Sequence, residues 1–416
     1  MRGFQILKYY SRSDIQKEIL KVAKNREVVG SLEDGSYLKR PDSLVYPKDI
    51  EEKVKRGAVS FHCSVERWNQ PMQLSLSLRK DELNSLRTGF DLILDIDSKT
   101  KLEHAAIAAK VVCEFLKDLG INPTLKFSGS RGFHIAISYE AFPERIDYKP
   151  TSEKYPGIPQ ILSEYIREEI KDKLLEELIS FEGGVASLVK YVPSISQLSP
   201  YEFVEIEKNW GNRHLFRMPY SLHTKFWLVS VPIKVSDLKN FKKEMAKPEK
   251  VKTHIKFLVN KNGEATDIFL KALDWKAKQP KEIIEKVKRI RPGPQKPVPE
   301  EYFPPCIKLI LNGLTDGRKR SLFTLATFLR KMNWKEEDIE KRIREWNEKN
   351  STPLSERTIN TQLKWHFRQN RDLLPANCFS DLFYVSIKVC KPDKYCNKNP
   401  VNYYFRRLKG KIEIKK

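Results

Sequence analysis

Hydrophobic and polar residues alternate along the stretch DLILDIDSK, residues 91–99, and this alternation predicts a β-strand. One face of that strand carries apolar side chains suited to a core, namely Leu92, Leu94 and Ile96. The opposite face carries Asp91, Ile93, Asp95 and Asp97. Asp95 and Asp97 are neighbouring acids on the second face, and the question is why a strand places two carboxylates there.

The residues that follow predict a helix and a hairpin. Residues 102–119 have helical spacing of apolar residues and are followed by Gly120, which favours a helix end. The segment TLKF, residues 124–127, and the segment FHIAIS, residues 133–138, flank the glycine-containing turn SGSRG. This pattern predicts two antiparallel strands joined by a tight turn.

Later segments predict a mixed domain followed by a helical one. Residues 159–190 are mainly helical in pattern, and two strand-like runs follow, YEFVEIE (201–207) and FWLVSVPIKV (226–235). Strands mixed with helices indicate an α/β or α+β domain. Residues 306–348 are helical in pattern, with little strand signal before 383–389.

A proline-rich stretch separates the two parts. A basic helical pattern at 276–291 runs into a segment with six prolines between Pro292 and Pro305, which favours extended backbone. We therefore predict a catalytic domain at 1–290, a linker at 291–305 and a C-terminal domain at 306–416.

Composition narrows the class of partner. A hydrophobic content of 40% fits a folded protein, and a formal net charge of +23 favours a polyanion, most simply nucleic acid. The sequence contains no run of about 18 apolar residues and no secretory signal pattern, so we expect a cytoplasmic, nucleoid-associated protein with reduced cysteines and no membrane partner.

The carboxylate pair predicts a metal site. Asp95 and Asp97 lie about 6–7 Å apart along one face of a strand, where two unpaired anions would repel each other. Carboxylate oxygens suit Mg²⁺ or Mn²⁺, which would remove the repulsion. The alternative is an edge strand whose acids face solvent, and the pair alone leaves that alternative open.

Two further motifs carry cationic donors. In SGSRGFHIAI, residues 128–137, the turn glycines allow backbone to approach a ligand, and Ser128, Arg131 and His134 would form a cradle for a triphosphate. In RHLFRMPYSLHTKFW, residues 213–227, further donors are Arg217, His223 and Lys225. Glu205 lies just upstream and would supply a third carboxylate. The alternative for the first motif is an ordinary hairpin with a polar tip, and the alternative for His223 is a histidine buried in the core.

The order of these motifs resembles the catalytic small subunit of archaeal–eukaryotic primases over about residues 56–235. The resemblance implies that Asp95, Asp97 and a third acid hold two Mg²⁺ or Mn²⁺ ions. Glu205 stands at the third position, where the family usually has aspartate, and Glu207 is its competitor. The resemblance also implies nucleotide binding by Ser128, Arg131, His134, Arg217, His223 and Lys225. The zinc-binding insertion common in that family is absent, so no zinc is expected.

Four cysteines lie beyond the linker, namely Cys306, Cys378, Cys390 and Cys396. Their spacing alone leaves a [4Fe–4S] cluster and unligated core cysteines equally open. The segments FPPC, LLPANC, KVCKPDKYC and NKNPVNYY resemble the C-terminal domain of the primase large subunit over about 302–405. That resemblance implies that the four cysteines bind a [4Fe–4S] cluster and that the chain is a fusion of small-subunit and large-subunit domains. It further implies binding of the template and the initiating nucleotide by Arg318, Lys319 and Arg320. A histidine that is frequent in that segment of the family is absent here, and Asp316 lies nearby instead.

These resemblances imply an α+β catalytic domain with mixed sheets and flanking helices, followed by a mainly α-helical iron–sulfur domain. We expect a DNA primase that makes short primers from nucleoside triphosphates on a single-stranded DNA template and so initiates replication. The partners would be that template, nucleoside triphosphates and the RNA or DNA primer, and we expect a monomer that meets other replication proteins. The alternatives are a primase-polymerase of a mobile replicon, a metal-dependent nuclease, and a non-catalytic iron–sulfur protein that binds nucleic acid.

Overall fold

The computed structural model describes residues 3–75, 77–146, 148–189, 191, 198–279, 294–368, 373–378 and 380–413. The chain divides into two compact units, Met1–Lys281 and Glu282–Lys416. Most of the predicted basic helix at 276–291, and the first residues of the predicted linker, lie outside the described residues. No helix in the described ranges is both long enough and apolar enough to cross a membrane.

The first unit mixes helices and strands. Its helices are α1 (Gly3–Tyr10), α2 (Ser13–Ala23), α3 (Pro47–Lys55), α4 (Lys80–Leu86), α5 (Leu102–Asp118), α6 (Gly157–Glu182), α7 (Val185–Val189) and α8 (Thr266–Lys278). Its strands are β1 (Val28–Ser31), β2 (Ser60–Ser64), β3 (Glu66–Trp68), β4 (Arg87–Phe90), β5 (Leu92–Ser98), β6 (Thr124–Phe127), β7 (Gly132–Ile137), β8 (Arg145–Ile146), β9 (Lys149–Pro150), β10 (Val204–Ile206), β11 (Leu215–Arg217) and β12 (Pro232–Ile233).

Two antiparallel sheets organise this unit. The larger has five strands in the order β10-β5-β7-β6-β12, and the smaller has three in the order β1-β2-β11. Helix α5 packs on the face of the larger sheet that carries Phe133. The opposite face carries Asp95 and Asp97. Antiparallel sheets with separate helices confirm the α+β class for this part of the chain.

The alternation along residues 91–99 is confirmed, but Asp91 has a different role from the other two acids. Asp91 is completely buried, and its carboxylate is paired with Arg26 and with Arg67, whose Nη2 lies 2.7 Å from Oδ1. The backbone N–H of Tyr139 donates to the same oxygen at 2.9 Å. Burial alone would raise the pKa of Asp91, but attraction to Arg26 and Arg67 outweighs burial and lowers it. Asp91 is therefore a structural anion.

We expect Asp91→Asn to lower the free energy of unfolding by about 3–5 kcal/mol at pH 7, because it leaves the buried guanidinium group of Arg26 without its counter-ion and removes one of the two carboxylates paired with Arg67. Because the pKa of Asp91 is lower in the folded state, its stabilisation is present at neutral pH and is lost as the pH falls below about 4. Urea unfolding at several pH values checks this, with the exposed Asp237→Asn as the control. A difference that is small at pH 7, or that stays unchanged below pH 3, contradicts it.

The second unit is mainly helical. Its helices are α9 (Pro305–Leu311), α10 (Arg318–Lys331), α11 (Glu336–Glu348), α12 (Glu356–Phe367) and α13 (Pro400–Glu413), with a π-helical turn at Asp381–Val385. The core lies between these helices and includes Trp346, which is fully buried, and Phe303, whose ring packs 4.9 Å from that of Phe328. The helical pattern at 306–348 is confirmed.

Two strand-like patterns adopt other structures. Residues 226–235 form only the two-residue strand β12 and an isolated bridge between Leu222 and Val229. The proline at 232 removes an amide donor there, which works against a long paired strand. Residues 383–389 belong to the π-helical turn and the turn after it. The strand pattern was misleading here because an apolar run this short does not distinguish a strand period from a helical one.

Candidate active site

The larger sheet places the three predicted acids on one face. In the register between β5 and β10, Asp97 lies opposite Glu205. In the register between β5 and β7, Asp95 lies opposite His134 and Asp97 lies opposite Gly132. Residues directly opposite each other in antiparallel strands project to the same side of the sheet. Asp95, Asp97, Glu205 and His134 therefore share one face.

Glu207 belongs to the same face. Its backbone N–H donates to the carbonyl oxygen of Asp95 at 2.9 Å, which continues the register by one residue pair beyond Ile206. Its carboxylate Oε1 accepts a hydrogen bond from the backbone of Asn209 at 2.9 Å. Glu205, in contrast, is exposed. The structure thus brings both candidates for the third acid to the aspartate pair.

The carboxyl group of Asp95 lies in an unfavourable electrostatic environment. Its Oδ1 atom is buried and accepts no hydrogen bond from the described residues, although Nε2 of His134 lies 3.4 Å away. Burial of the carboxylate, together with the charges of Asp97 and Glu207, raises the pKa of Asp95. Burial and the nearby charges of Lys126 and Arg217 lower the pKa of His134, so the ring is neutral. A divalent cation would offset the repulsion between the acids.

Asp97 lies against the turn SGSRG. Nε of Arg131 donates to Oδ2 of Asp97 at 3.2 Å. A side chain at Gly132 would place a Cβ atom 2.0 Å from the carbonyl oxygen of Ile96 and 2.6 Å from Oδ1 of Asp97. Only glycine allows β7 to begin this close to the acid.

The same turn is joined to the predicted cationic residues. Nη1 of Arg217 donates to the carbonyl oxygen of Ser128 at 2.8 Å, and its Nε donates to Oγ of Ser60 at 3.2 Å. Gly129 has a φ of +96°, and a Cβ atom there would lie 3.1 Å from Cβ of His223. Oγ of Ser128 is buried and has no hydrogen-bond partner in the described part of the chain. These contacts form a concave polar surface beside the acids.

His223 is held as a neutral donor. Its Nδ1 accepts hydrogen bonds from the backbone N–H groups of Lys225 at 3.1 Å and Phe226 at 3.4 Å. Burial, with the charges of Arg217 and Lys225, lowers the pKa of His223 to about 3. The neutral ring then carries its proton on Nε2, which can donate to a phosphate oxygen. The Lys225 side chain is exposed nearby.

The site also contains a buried lysine that the motifs did not indicate. Lys126 is fully buried and lies opposite His134 in the register between β6 and β7, and its Nζ donates to Oγ of Ser230 at 2.7 Å. Counting outward along both strands from the SGSRG turn would have paired these two residues. A pocket of about 190 Å³ lies between the two sheets, lined by Tyr37, His62, Ile93, Asp95, His134, His214, Leu215, Phe216 and Arg217.

In the second unit, the four predicted cysteines lie within electrostatic reach of one another. Burial and the thiols of Cys378, Cys396 and Cys390 raise the pKa of Cys306. In the described ranges, no group of three or more His, Cys, Asp or Glu side chains is already arranged to hold a single metal ion, and this applies to the acids of the first unit as well as to the cysteines. Four thiols are the donor set that a [4Fe–4S] cluster takes, so the residue types fit such a group.

The predicted basic residues of this unit begin helix α10. Nη1 of Arg318 donates to the carbonyl oxygen of Thr352 at 2.9 Å, whereas Lys319 is exposed and Arg320 is partly exposed. Gly317 precedes them with a φ of +73°, close to the side chain of Ile387. The structure thus presents Lys319 to solvent, leaves Arg320 partly exposed and engages Arg318 with backbone.

Comparison with known proteins matches part of the first unit to a family. Residues 94–235 match the family model of the DNA primase small subunit. An uncharacterized protein of Methanocaldococcus jannaschii is 27% identical over 175 residues, which cover 41% of this chain and 37% of that relative. The chain also resembles the polymerase domain of Mycobacterium tuberculosis ligase D in complex with DNA, with 14% identity, a TM-score of 0.38, and coverage of 65% of this chain and 88% of that one.

Proposed function

We propose that the chain is a DNA primase that makes short primers de novo on single-stranded DNA by nucleotidyl transfer from nucleoside triphosphates. The observation that carries this proposal is the shared face of Asp95, Asp97 and Glu205 beside the SGSRG turn. These residues lie within the span that matches the DNA primase small subunit, and the match supports a primase or polymerase activity.

The three acids would hold two Mg²⁺ or Mn²⁺ ions. Their ligands are all carboxylate oxygens, which suit hard cations. The pKa of Asp95 is raised by burial first and by the charges of Asp97 and Glu207 second, and bound cations would offset both effects. When bound, the ions lower the pKa of the attacking 3′-hydroxyl group and stabilise the pyrophosphate leaving group.

The surface around the turn would bind the triphosphate. Arg131 and Lys225 supply positive charge, and Nε2 of neutral His223 supplies a hydrogen-bond donor. Arg217 holds the turn in place through the carbonyl oxygen of Ser128, and Gly129 leaves room for His223 against the turn. Donors fixed in this way would hold the triphosphate in line with the attacking hydroxyl group.

The second unit would contribute to starting a strand. Cys306, Cys378, Cys390 and Cys396 would hold a [4Fe–4S] cluster with a mainly structural role. Arg318, Lys319 and Arg320 would contact the template and the triphosphate of the first nucleotide. Because the unit is tethered in the same chain, it would raise the effective concentration of that nucleotide.

A primer-free assay tests the proposal. The full chain, loaded with iron, is mixed with single-stranded DNA, Mg²⁺ or Mn²⁺, and labelled nucleoside triphosphates. Labelled oligomers that depend on the template support a primase. Shortening of labelled template without nucleotides would indicate a nuclease, and template binding without either reaction would indicate a non-catalytic protein.

Matched amide variants distinguish whether Glu205, on β10, or Glu207, just after it, is the third metal ligand. We expect Glu205→Gln to reduce primer synthesis by about 10²–10³-fold, because a lost ligand costs several kcal/mol of charge stabilisation. Glu207→Gln keeps an oxygen that accepts from Asn209, and we expect it to retain activity within about tenfold. Initial rates at saturating nucleotide and Mn²⁺ provide the measurement. The reverse order would assign the third ligand to Glu207.

A further inference from the structure

An exposed aromatic residue lies at the edge of the phosphate-binding surface. The side chain of Phe226 is 55% exposed, although it is a large apolar group that would ordinarily be buried. Its ring centroid lies 5.0 Å from that of His223, and its backbone N–H donates to Nδ1 of that histidine. Phe226 is thus fixed beside a predicted phosphate donor, with more than half of its side chain exposed to solvent.

A strongly basic segment lies next to this ring. Residues 234–256, here called the lysine segment, contain eight lysines and only three acids, Asp237, Glu244 and Glu249. All eight are exposed, namely Lys234, Lys239, Lys242, Lys243, Lys247, Lys250, Lys252 and Lys256. Nζ of Lys243 lies 6.0 Å from the ring centroid of Phe226. Positive charge and an exposed aromatic side chain therefore occur together.

The lysines of this segment differ from two lysines of helix α8. On helix α8, Lys271 is paired with Asp267 at 2.8 Å and Lys276 with Glu164 at 2.7 Å. Within the described part of the chain, none of the eight lysines of the lysine segment is paired with a carboxylate. Their charge remains uncompensated by the protein, and this favours an anionic partner.

The lysine segment is anchored to the sheet that carries the site. The ring of Phe241 packs 4.9 Å from Phe127 and 5.6 Å from Phe133. The carbonyl oxygen of Ala246 accepts from the backbone N–H of Val229 at 2.8 Å. Buried anchors thus fix the segment beside the 222–229 hairpin, which contains His223 and Phe226, and leave the lysines in solvent.

We infer that Phe226 and the lysine segment bind a single-stranded polynucleotide, with an unpaired base stacked on Phe226 and the neighbouring phosphates contacted by Lys242 and Lys243. This inference rests on the proposed function, since it assigns the path of the strand that the site would use. An exposed ring flanked by cations suits unpaired bases. Inside a duplex, the faces of each base are covered by the neighbouring base pairs and cannot stack on a protein ring.

Binding of fluorescent oligonucleotides by the full chain, without nucleotides and with a chelator, tests the inference. Phe226→Ala should weaken binding to an oligothymidylate by about 5- to 100-fold, and Phe226→Trp should restore it, because base stacking tolerates any aromatic face. An oligomer of the same length without bases should bind wild type and Phe226→Ala equally. Tyr148→Ala, at a side chain that is 93% exposed, is the aromatic control and should change nothing.

The charge contribution is measured from the salt dependence. Replacing both Lys242 and Lys243 by glutamate should reduce the slope of log affinity against log salt by at least about 1.4, the value for two lost phosphate contacts on a single strand. The matched control reverses two exposed lysines elsewhere in the unit, Lys80 and Lys171, and should leave the slope near that of wild type.

The outcomes separate this inference from the proposed function. Primer synthesis by wild type, with unaltered oligonucleotide binding by Phe226→Ala and by the double lysine variant, overturns the inference and leaves the primase proposal standing. Base-dependent loss of binding in Phe226→Ala supports the inference even when wild type makes no primers. Equal loss of affinity for the oligomer without bases overturns the stacking role.

Discussion

Asp95→Asn is expected to reduce primer synthesis by at least about 10³-fold, since it removes one of the carboxylates that would hold the ions, and several kcal/mol of charge stabilisation with it. Asparagine has the same shape and keeps one oxygen, so the backbone of β5 should be unchanged. Template binding should persist, because the acids repel the phosphate backbone and do not attract it.

The same variant is expected to melt at a higher temperature than wild type when a chelator is present. The pKa of Asp95 is raised in the folded state by burial and by Asp97 and Glu207, so the ionised carboxylate destabilises the native state at neutral pH. The amide removes that repulsion. With saturating Mn²⁺ the order should reverse, because wild type gains stability from binding ions and the variant gains less.

Thermal unfolding with chelator and with Mn²⁺, alongside the primer assay, measures both effects. Asp172→Asn, at an exposed acid on helix α6, is the control and should behave as wild type in each condition. Two results contradict the proposed site: retained primer synthesis by Asp95→Asn, or a melting temperature below that of wild type in chelator.

The second large effect is expected at Cys306. Cys306→Ser should lose most of its iron and the visible absorbance of the cluster, because a [4Fe–4S] cluster needs four thiolates and serine is a poor ligand for it. Cys306 lies near the start of α9, is buried, and contacts the core of the second unit. Since binding of a structural metal group contributes directly to folding, this unit should lose its cooperative unfolding transition.

Cys113→Ser provides the matched control, because Cys113 is also buried but belongs to helix α5 of the first unit. This control should keep its full iron content even if it is modestly less stable. Iron per chain, visible absorbance and calorimetry are the readouts. Full iron in Cys306→Ser, or zinc in place of iron in the purified protein, contradicts the proposed cluster.

Local patterns predicted much of the site because its key residues lie on one strand and one hairpin. The alternation along residues 91–99 put Asp95 and Asp97 on a common face, and the glycine-containing turn predicted the pairing of β6 with β7. Both are properties of adjacent residues, which a periodic pattern can report.

Other properties of the site depend on residues far apart in the chain. Alternation put Asp91 beside Asp95, but its partners are Arg26 and Arg67, and nothing in the local sequence indicates those pairs. The approach of Glu207 to Asp95 depends on how β10 joins the sheet. Whether the lysines of the lysine segment are paired depends on which carboxylates the fold brings near them. A single sequence does not contain that information.

The position of β10 in the larger sheet has a consequence for ion selectivity. β10 lies at the sheet edge and spans only three residues, whereas β5 is hydrogen-bonded to a strand on each side. Two of the proposed ligands are therefore rigid, while Glu205 can adjust through small changes in a short edge segment. Mg²⁺ requires near-ideal octahedral coordination, whereas larger divalent cations tolerate more distortion. If Glu205 can adjust its position, the same site would accept either Mg²⁺ or Mn²⁺, so the protein would work with whichever ion the cell supplies.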